Sequence, residues 1–301
     1  MRYFIIIKNF ILKKIKHTLK KFLSDYQYYY LTLKRFDNRN PNLKNPRSFN
    51  EKLIYLMLND RRDIYTHYAD KVMAKELVAK KIGSKYITKT LKIWNSSQLI
   101  TLNSLPKSFV LKTNHSSGDL LIIDKSKGLI DLKKIQKHFK KALELNRYLI
   151  SREWSYKNIV PKIFAEELLT SYLDDEIIDY KFFCFNGKPE FMQVDTERFV
   201  NHKRNFYNLS WEELPYQFVY PRSMKTLKKP NKLDEMIWIS EKLSLPFSFA
   251  RVDLYYLRNC DQENIKFGEI TFYPEGGIQR FSPDYLNSYL GKKINISNLG
   301  D

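Results

Sequence analysis

The sequence predicts an α+β fold in which mostly antiparallel strands come in groups separated by helices. Three observations carry that reading. Apolar and polar residues alternate in strand-like runs over 178–195 and 249–272, and Asn186-Gly187 stands between two of those runs as a hairpin turn. Ser48 and Glu51 stand three apart ahead of an apolar helical pattern, the signature of a capping box. The chain has 301 residues, 43% hydrophobic and 15% aromatic, enough to bury a substantial core in one large domain or a few subdomains.

The elements follow in order. Residues 1–23 place Ile7, Ile11, Leu12, Ile15, Leu19, Phe22 and Leu23 on one helical arc and Lys13, Lys14, Lys16, Lys20 and Lys21 on the other. Such a helix suits an anionic membrane surface; docking on its own domain explains the same pattern. The stretch is too charged to span a bilayer and lacks a signal-peptide cleavage site. Residues 24–47 read as a helix and a proline-punctuated connection, and Ser48 opens the next helix. A further helix over 67–82 stops at Gly83. Strands are predicted at 86–94 and 108–113, a lysine-rich helix at 131–147, and strands at 162–169, 178–187 and 188–195. A helix over 231–243 and strands at 249–257 and 265–272 complete the reading. The organisation expected is a basic extension (1–47) and an N-terminal subdomain (48–105), followed by segments 106–165 and 166–301.

The formal charge is +19, but residues 1–47 hold twelve Lys/Arg against two acidic residues, a net +10 in the first sixth of the chain. With no zinc-finger, RNP-type or basic-zipper pattern, no nucleic-acid partner is expected. Two cysteines, Cys184 and Cys260, are too few for a disulfide framework and read as reduced, in a cytoplasmic protein. The five scattered histidines form no zinc-ligand spacing.

Four constellations could carry chemistry. In "ARVDLYY" and "GEITF", Arg251 and Asp253 share one strand face and Glu269 and Thr271 another. Paired as a hairpin, these strands would converge oxygen ligands suited to a hard cation beside an arginine suited to a phosphoryl group. A cross-strand ion pair on an exposed face is the alternative. Four of the nine glycines lie between 268 and 291, and Gly276-Gly277 leaves room for close backbone approach. "FVLKTNHSSGDL" ends a strand at Lys112 and follows it with a small-residue loop that could wrap phosphate oxygens or be an ordinary hairpin loop. Glu166 and Glu167 interrupt an apolar strand and call for partners. Lys181 lies on another apolar strand, where a sheet edge is the alternative.

In this order, the segments "SFNEKL", "YADK", "LKTNHSSG", "FAEELL", "DYKFFCFNGKP", "RVDLY" and "GEITFYPEGG" resemble the TupA-like ATP-grasp proteins of teichuronopeptide and capsular polysaccharide biosynthesis, over roughly residues 46–290. The resemblance implies two α+β lobes enclosing ATP, and makes segment 106–165 a small lobe and segment 166–301 a large lobe. It implies that Lys112 and Lys181 contact ATP phosphates, with His115, Ser116, Ser117 and Gly118 in the closing loop. Glu166, Glu167 and Leu169 would form the hinge at the adenine edge. Asp253, Glu269 and Thr271 would hold Mg2+, with Arg251 and Lys181 catalytic. Thr271 stands where asparagine is usual and Ser116 where a second loop glycine is expected. The implied activity is an ATP-dependent carboxylate–amine ligation through an acyl phosphate. Its partners would be an acidic cell-surface glycan or precursor, such as a uronic acid, and an amine donor, with the enzyme in the cytoplasm or at the inner membrane face. Loss of Asp253 or Glu269 is then expected to stop turnover more than folding. A glycan-modifying enzyme such as a glycosyltransferase is the alternative, although there is no D-x-D motif; it would release UDP or CMP in place of ADP. A non-catalytic basic module would bind no nucleotide.

Overall fold

The computed structural model describes residues 22–37, 39–116, 118–170, 177–197, 201–259 and 262–297, so most of the 1–23 helix, Ser117 and Cys260 lie outside it. Helix α1 (Asp25–Asp37) leads to α2 (Phe49–Asn59), whose capping box is closed in both directions. The Glu51 N–H donates to Ser48 Oγ at 3.3 Å, and the Ser48 N–H donates to Glu51 Oε2 at 3.0 Å. The helix predicted over 67–82 is in fact two, α3 (Asp63–Ala69) and α4 (Lys71–Ile82). They meet at Asp70, whose extended backbone ends one and whose carboxylate caps the other, accepting from the Val72 N–H at 2.9 Å and the Met73 N–H at 3.2 Å. Gly83 ends α4 with φ +107°, as the glycine there predicts.

Four strands form one sheet, in the order β1 (Thr90–Trp94), β4 (Ile163–Glu167), β2 (Ser108–Thr113), β3 (Leu120–Asp124). Helix α5 (Leu132–Leu143) contributes Ile135 and Phe139 to this sheet's own core, with Trp94, Phe109, Leu111 and Ile163. A short helix, α6 (Arg147–Ser151), follows α5.

Six strands form the second sheet, in the order β10 (Gln262–Thr271), β9 (Phe249–Asn259), β5 (Ile178–Phe185), β6 (Lys188–Thr196), β7 (Lys203–Asn208), β8 (Glu213–Leu214). Every strand pairing in both sheets is antiparallel. Asn186 and Gly187, at φ +50° and +78°, make the predicted hairpin turn between β5 and β6. Helix α7 (Leu233–Ser244) covers one face, where Cys184 is fully buried against it with Sγ 3.9 Å from the Ser240 carbonyl. Burial pushes that thiol up to about 12, leaving it inert. Rings of Phe183, Phe191, Phe206, Phe249 and Phe281 pack edge to face and stacked in the larger core. Residues of α1–α4 join this core, and β1 joins the small sheet.

Two further places show why the sequence bends as it does. The pairing of β9 and β10 shifts register at Gly268, where an added Cβ would lie 3.0 Å from the Asp253 carbonyl oxygen. Helix α8 (Tyr285–Lys293) meets the start of α2 at Gly291, where a Cβ would lie 2.1 Å from the Arg47 carbonyl oxygen. Strands β3, β7 and β8 and helix α8 were not expected. Among the described residues, no helix is long and apolar enough to cross a membrane.

Candidate active site

The site's floor is a row of polar side chains across the six-stranded sheet. The register sets Lys181 opposite Asp253, Asp253 opposite Glu269 and Arg251 opposite Thr271. The hairpin expected from the sequence is therefore present. Lys181, 7% exposed, donates to Asp179 and Asp253 at 3.0 Å each. Burial works against its charge, but the two carboxylates outweigh it and hold the ammonium pKa above its usual value. Arg251 grips Asp253 through two hydrogen bonds, 2.7 Å from Nε and 2.6 Å from Nη2, and Nη2 also reaches Thr271 Oγ1 at 3.0 Å. This Arg–carboxylate pair lies within one strand and is buried, so the exposed cross-strand alternative does not hold. Glu269 receives Lys71 Nζ at 3.2 Å. The Lys71 ammonium beside it, with Arg251 and Lys181 farther off, holds its carboxyl at about 2 against the opposing effect of burial.

The roof comes from the small sheet. Lys112 on β2 contacts Glu166 on the neighbouring β4, and Lys75 from α4 reaches the same carboxylate at 2.5 Å. Burial would raise the Glu166 pKa, but Lys112 and Lys75 more than offset it and keep the group low. The partner that a strand carboxylate calls for is thus a pair of lysines. The loop after β2 is built by Asn114, which donates to Asp70 at 2.8 Å and accepts from the Lys162 N–H at 2.7 Å, tying the loop to the start of α4. Thr113 and Ser116 share a hydrogen bond at 2.7 Å, and Ser116 donates to Asp119.

Floor and roof enclose a cavity of about 160 Å³. Lys112, Ser116, Gly118 and Glu166 line it from one sheet, and Lys181, Asp253 and Glu269 from the other. His115 does not line it; the ring is buried behind the loop, and burial lowers its pKa. Glu167 is exposed and Leu169 half-buried, and neither lines the cavity. Arg251 and Thr271 line an adjoining chamber that also shares Glu269. Sequence reasoning missed Lys71, Lys75, Asp119 and Asp179, all of which line the cleft. Lys71 was within reach, since it closes the quoted "YADK" segment, and Lys75 lies one helical turn on, on the same face.

The donor set fits a hard cation. Asp253, Glu269 and Thr271 offer oxygen only, and among the described residues no group of three or more His, Cys, Asp or Glu could hold a metal alone. Mg2+ takes one or two carboxylates and completes its shell with phosphate and water, so such a partial set suits it.

The adjoining chamber, of about 420 Å³, contains Glu153, 7% exposed. Burial raises this carboxyl to about 7, opposed by the Ser151 hydroxyl and Arg147 and reinforced by Glu269; Tyr28, Tyr29, Tyr156 and Tyr273 also line the chamber. The folded chain therefore holds this proton to higher pH than the unfolded chain, whose group titrates near 4.5. Stability from this group is fully present below that value and lost as pH rises through about 7. Glu153→Gln is expected to flatten the decline. Its stability relative to wild type should be on the order of 2–3 kcal/mol more favourable at about pH 8 than at about pH 4, read from urea unfolding.

None of the curated proteins matches this chain. Among solved structures, it is similar to a D-alanine–D-alanine ligase from Bacillus anthracis complexed with ATP (12% identity, TM-score 0.39, 68% of this chain and 54% of that one). It is similar to the ATP-grasp ligase PsnB complexed with a phosphomimetic variant of its minimal precursor, Mg and ADP (8% identity, TM-score 0.38, 70% and 52%). It is also similar to the macrocyclase MdnC from Microcystis aeruginosa bound with its precursor peptide (13% identity, TM-score 0.38, 76% and 61%). The chain spans about half the length of the first two of these structures. The family described as TupA-like ATPgrasp matches residues 51–295, a span that holds both sheets and every cleft residue named above. The chain belongs to the TupA-like ATP-grasp family, and its two-sheet α+β architecture is the ATP-grasp fold.

Proposed function

We propose that the protein is an ATP-dependent carboxylate–amine ligase that attaches an amino acid or other amine to a uronic acid of a capsular or other cell-surface polysaccharide, or to its precursor. ATP and Mg2+ are its cofactors, in keeping with the family. The observation that carries the reading is the meeting of Lys112 and Glu166 from one sheet with Lys181, Asp253 and Glu269 from the other around a single cavity.

Each residue has work in such a reaction. Lys112 and Lys181 neutralise phosphate oxygens, and the Ser116–Gly118 loop lies against them. Glu166, paired with Lys112 and Lys75, fixes the direction of the Lys112 ammonium. Asp253, Glu269 and Thr271 would hold Mg2+, which supplies charge neutralisation at the transferring phosphoryl group. Arg251, held by Asp253 and in reach of Thr271, stabilises the charge that develops as the acceptor carboxylate becomes an acyl phosphate. Phosphoryl transfer demands positioning and charge more than covalent help, and these residues supply both. The net charge of +19 suits a polyanionic acceptor.

Incubation with ATP, Mg2+ and panels of uronic acids and amino acids should give ADP only when both a carboxylate and an amine are present. Release of UDP or CMP from nucleotide sugars, with ATP untouched, would replace this reading with glycosyl transfer.

A further inference from the structure

The chamber beside Glu269 is built by residues for which the nucleotide cleft has no use. One wall is α1, which contributes Tyr28, Tyr29 and Thr32 and lies ahead of the family match that begins at residue 51. The helix is fastened there. Tyr29 donates to the Ser151 carbonyl at 2.6 Å, and Asp25 accepts from Tyr148 at 2.8 Å and Arg152 at 3.3 Å. Tyr273, 2% exposed, also lines the chamber, and its hydroxyl has no hydrogen-bond partner. A carboxyl group and a guanidinium line it as well. The Arg147 Nε is buried and unpartnered, and Glu153 is 7% exposed. Among the described residues neither makes an ion pair within 4 Å; Arg147 acts on the Glu153 carboxyl only at longer range, and the Ser151 hydroxyl is that carboxyl's hydrogen-bond partner.

Buried polar groups without partners are costly, and a ligand that brings a carboxylate to the guanidinium and an ammonium to the carboxyl group relieves that cost. A volume of about 420 Å³ is within the usual ~300–1,000 Å³ of small-molecule pockets. Resting on the ligase reading above, we propose that this chamber holds the amine donor and that the donor is an α-amino acid, its carboxylate on Arg147 and its ammonium on Glu153. Glu269, shared by cleft and chamber, sets the donor beside the place where the acceptor is activated. The α1 wall makes the choice of amino-acid side chain a property of the N-terminal extension as well as of the family core.

The test uses the full chain with Mg2+ and a non-hydrolysable ATP analogue, exposed to an equimolar mixture of the common amino acids and observed by saturation-transfer NMR. At least one amino acid should receive saturation, and its carboxamide should not. Glu153→Gln and Arg147→Gln should each weaken binding of that amino acid about tenfold or more. Thermal stabilisation by the Mg-nucleotide, read on the same samples, shows that each variant is folded. If the nucleotide stabilises the wild-type chain but no amino acid binds, or if both variants bind it unchanged, the chamber assignment is wrong while the nucleotide reading stands. If the nucleotide gives no stabilisation, both readings fall.

Discussion

Glu269→Gln is expected to lower Mg-dependent ADP release by about 10²–10³-fold while leaving the unfolding midpoint close to that of the wild type. The two halves of this expectation come from different features. Glu269 takes the register position directly opposite Asp253, so its carboxylate faces the same space as Asp253, Lys112 and Lys181. Removing its charge takes away half of the carboxylate set that would hold Mg2+. Its side chain is 37% exposed, and its nearest cation among the described residues, Lys71, keeps partial access to water at 19%. A pair of that kind contributes roughly 0–1 kcal/mol to stability. Raising the Mg2+ concentration should recover part of the lost rate. An ADP release within a few-fold of wild type at low Mg2+ would remove β10 from the metal site.

Much of this site was legible in the sequence because strands have a period of two. Arg251 and Asp253 share one strand face and Glu269 and Thr271 another, so hairpin pairing can join the two pairs; what the period does not show is the register shift at Gly268, which sets Glu269 opposite Asp253. Lys112 and Lys181 were legible for a related reason: each is a lone cation in an apolar strand. The capping box and the Asn186-Gly187 turn were local signals and are present as read. What escaped depends on contacts between distant segments. Strand β7 reads "KRNFYN", too polar to suggest a buried strand, yet Arg204 is 4% exposed because Asp195 on β6 takes its guanidinium at 2.7 and 3.2 Å. Strand β3 carries Leu120 and Ile122 exposed at an edge, where no polar alternation marks it. Asp70 divides a helix whose apolar spacing runs on unbroken, because its side chain serves both α4 and Asn114. His115 has the right neighbours in sequence but turns behind the loop, a matter of rotamer and packing that spacing does not encode.

Asp253→Asn should fail in a different way from Glu269→Gln, although the sequence puts the two carboxylates in the same role. Asp253 is 3% exposed and is the counter-charge of two buried cations, Arg251 through two hydrogen bonds and Lys181 at 3.0 Å. An asparagine of the same shape retains hydrogen-bonding atoms but no charge. Among the described residues, Lys181 then has only Asp179 within ion-pair distance, and Arg251 has no carboxylate closer than Glu269, 3.9 Å away. Breaking one side of a buried ion pair typically costs about 3–5 kcal/mol. Asp253→Asn should therefore lose both ADP release and a stability of that order, measured by urea unfolding without nucleotide. Adding Arg251→Met removes the stranded guanidinium, since an apolar side chain of similar length tolerates burial. The double variant should regain at least about half of the lost stability and none of the activity. If Asp253→Asn unfolds no more readily than Glu269→Gln, the floor of the cleft is not held by this pair. If the double variant regains turnover, Asp253 and Arg251 serve the fold and not the phosphoryl group.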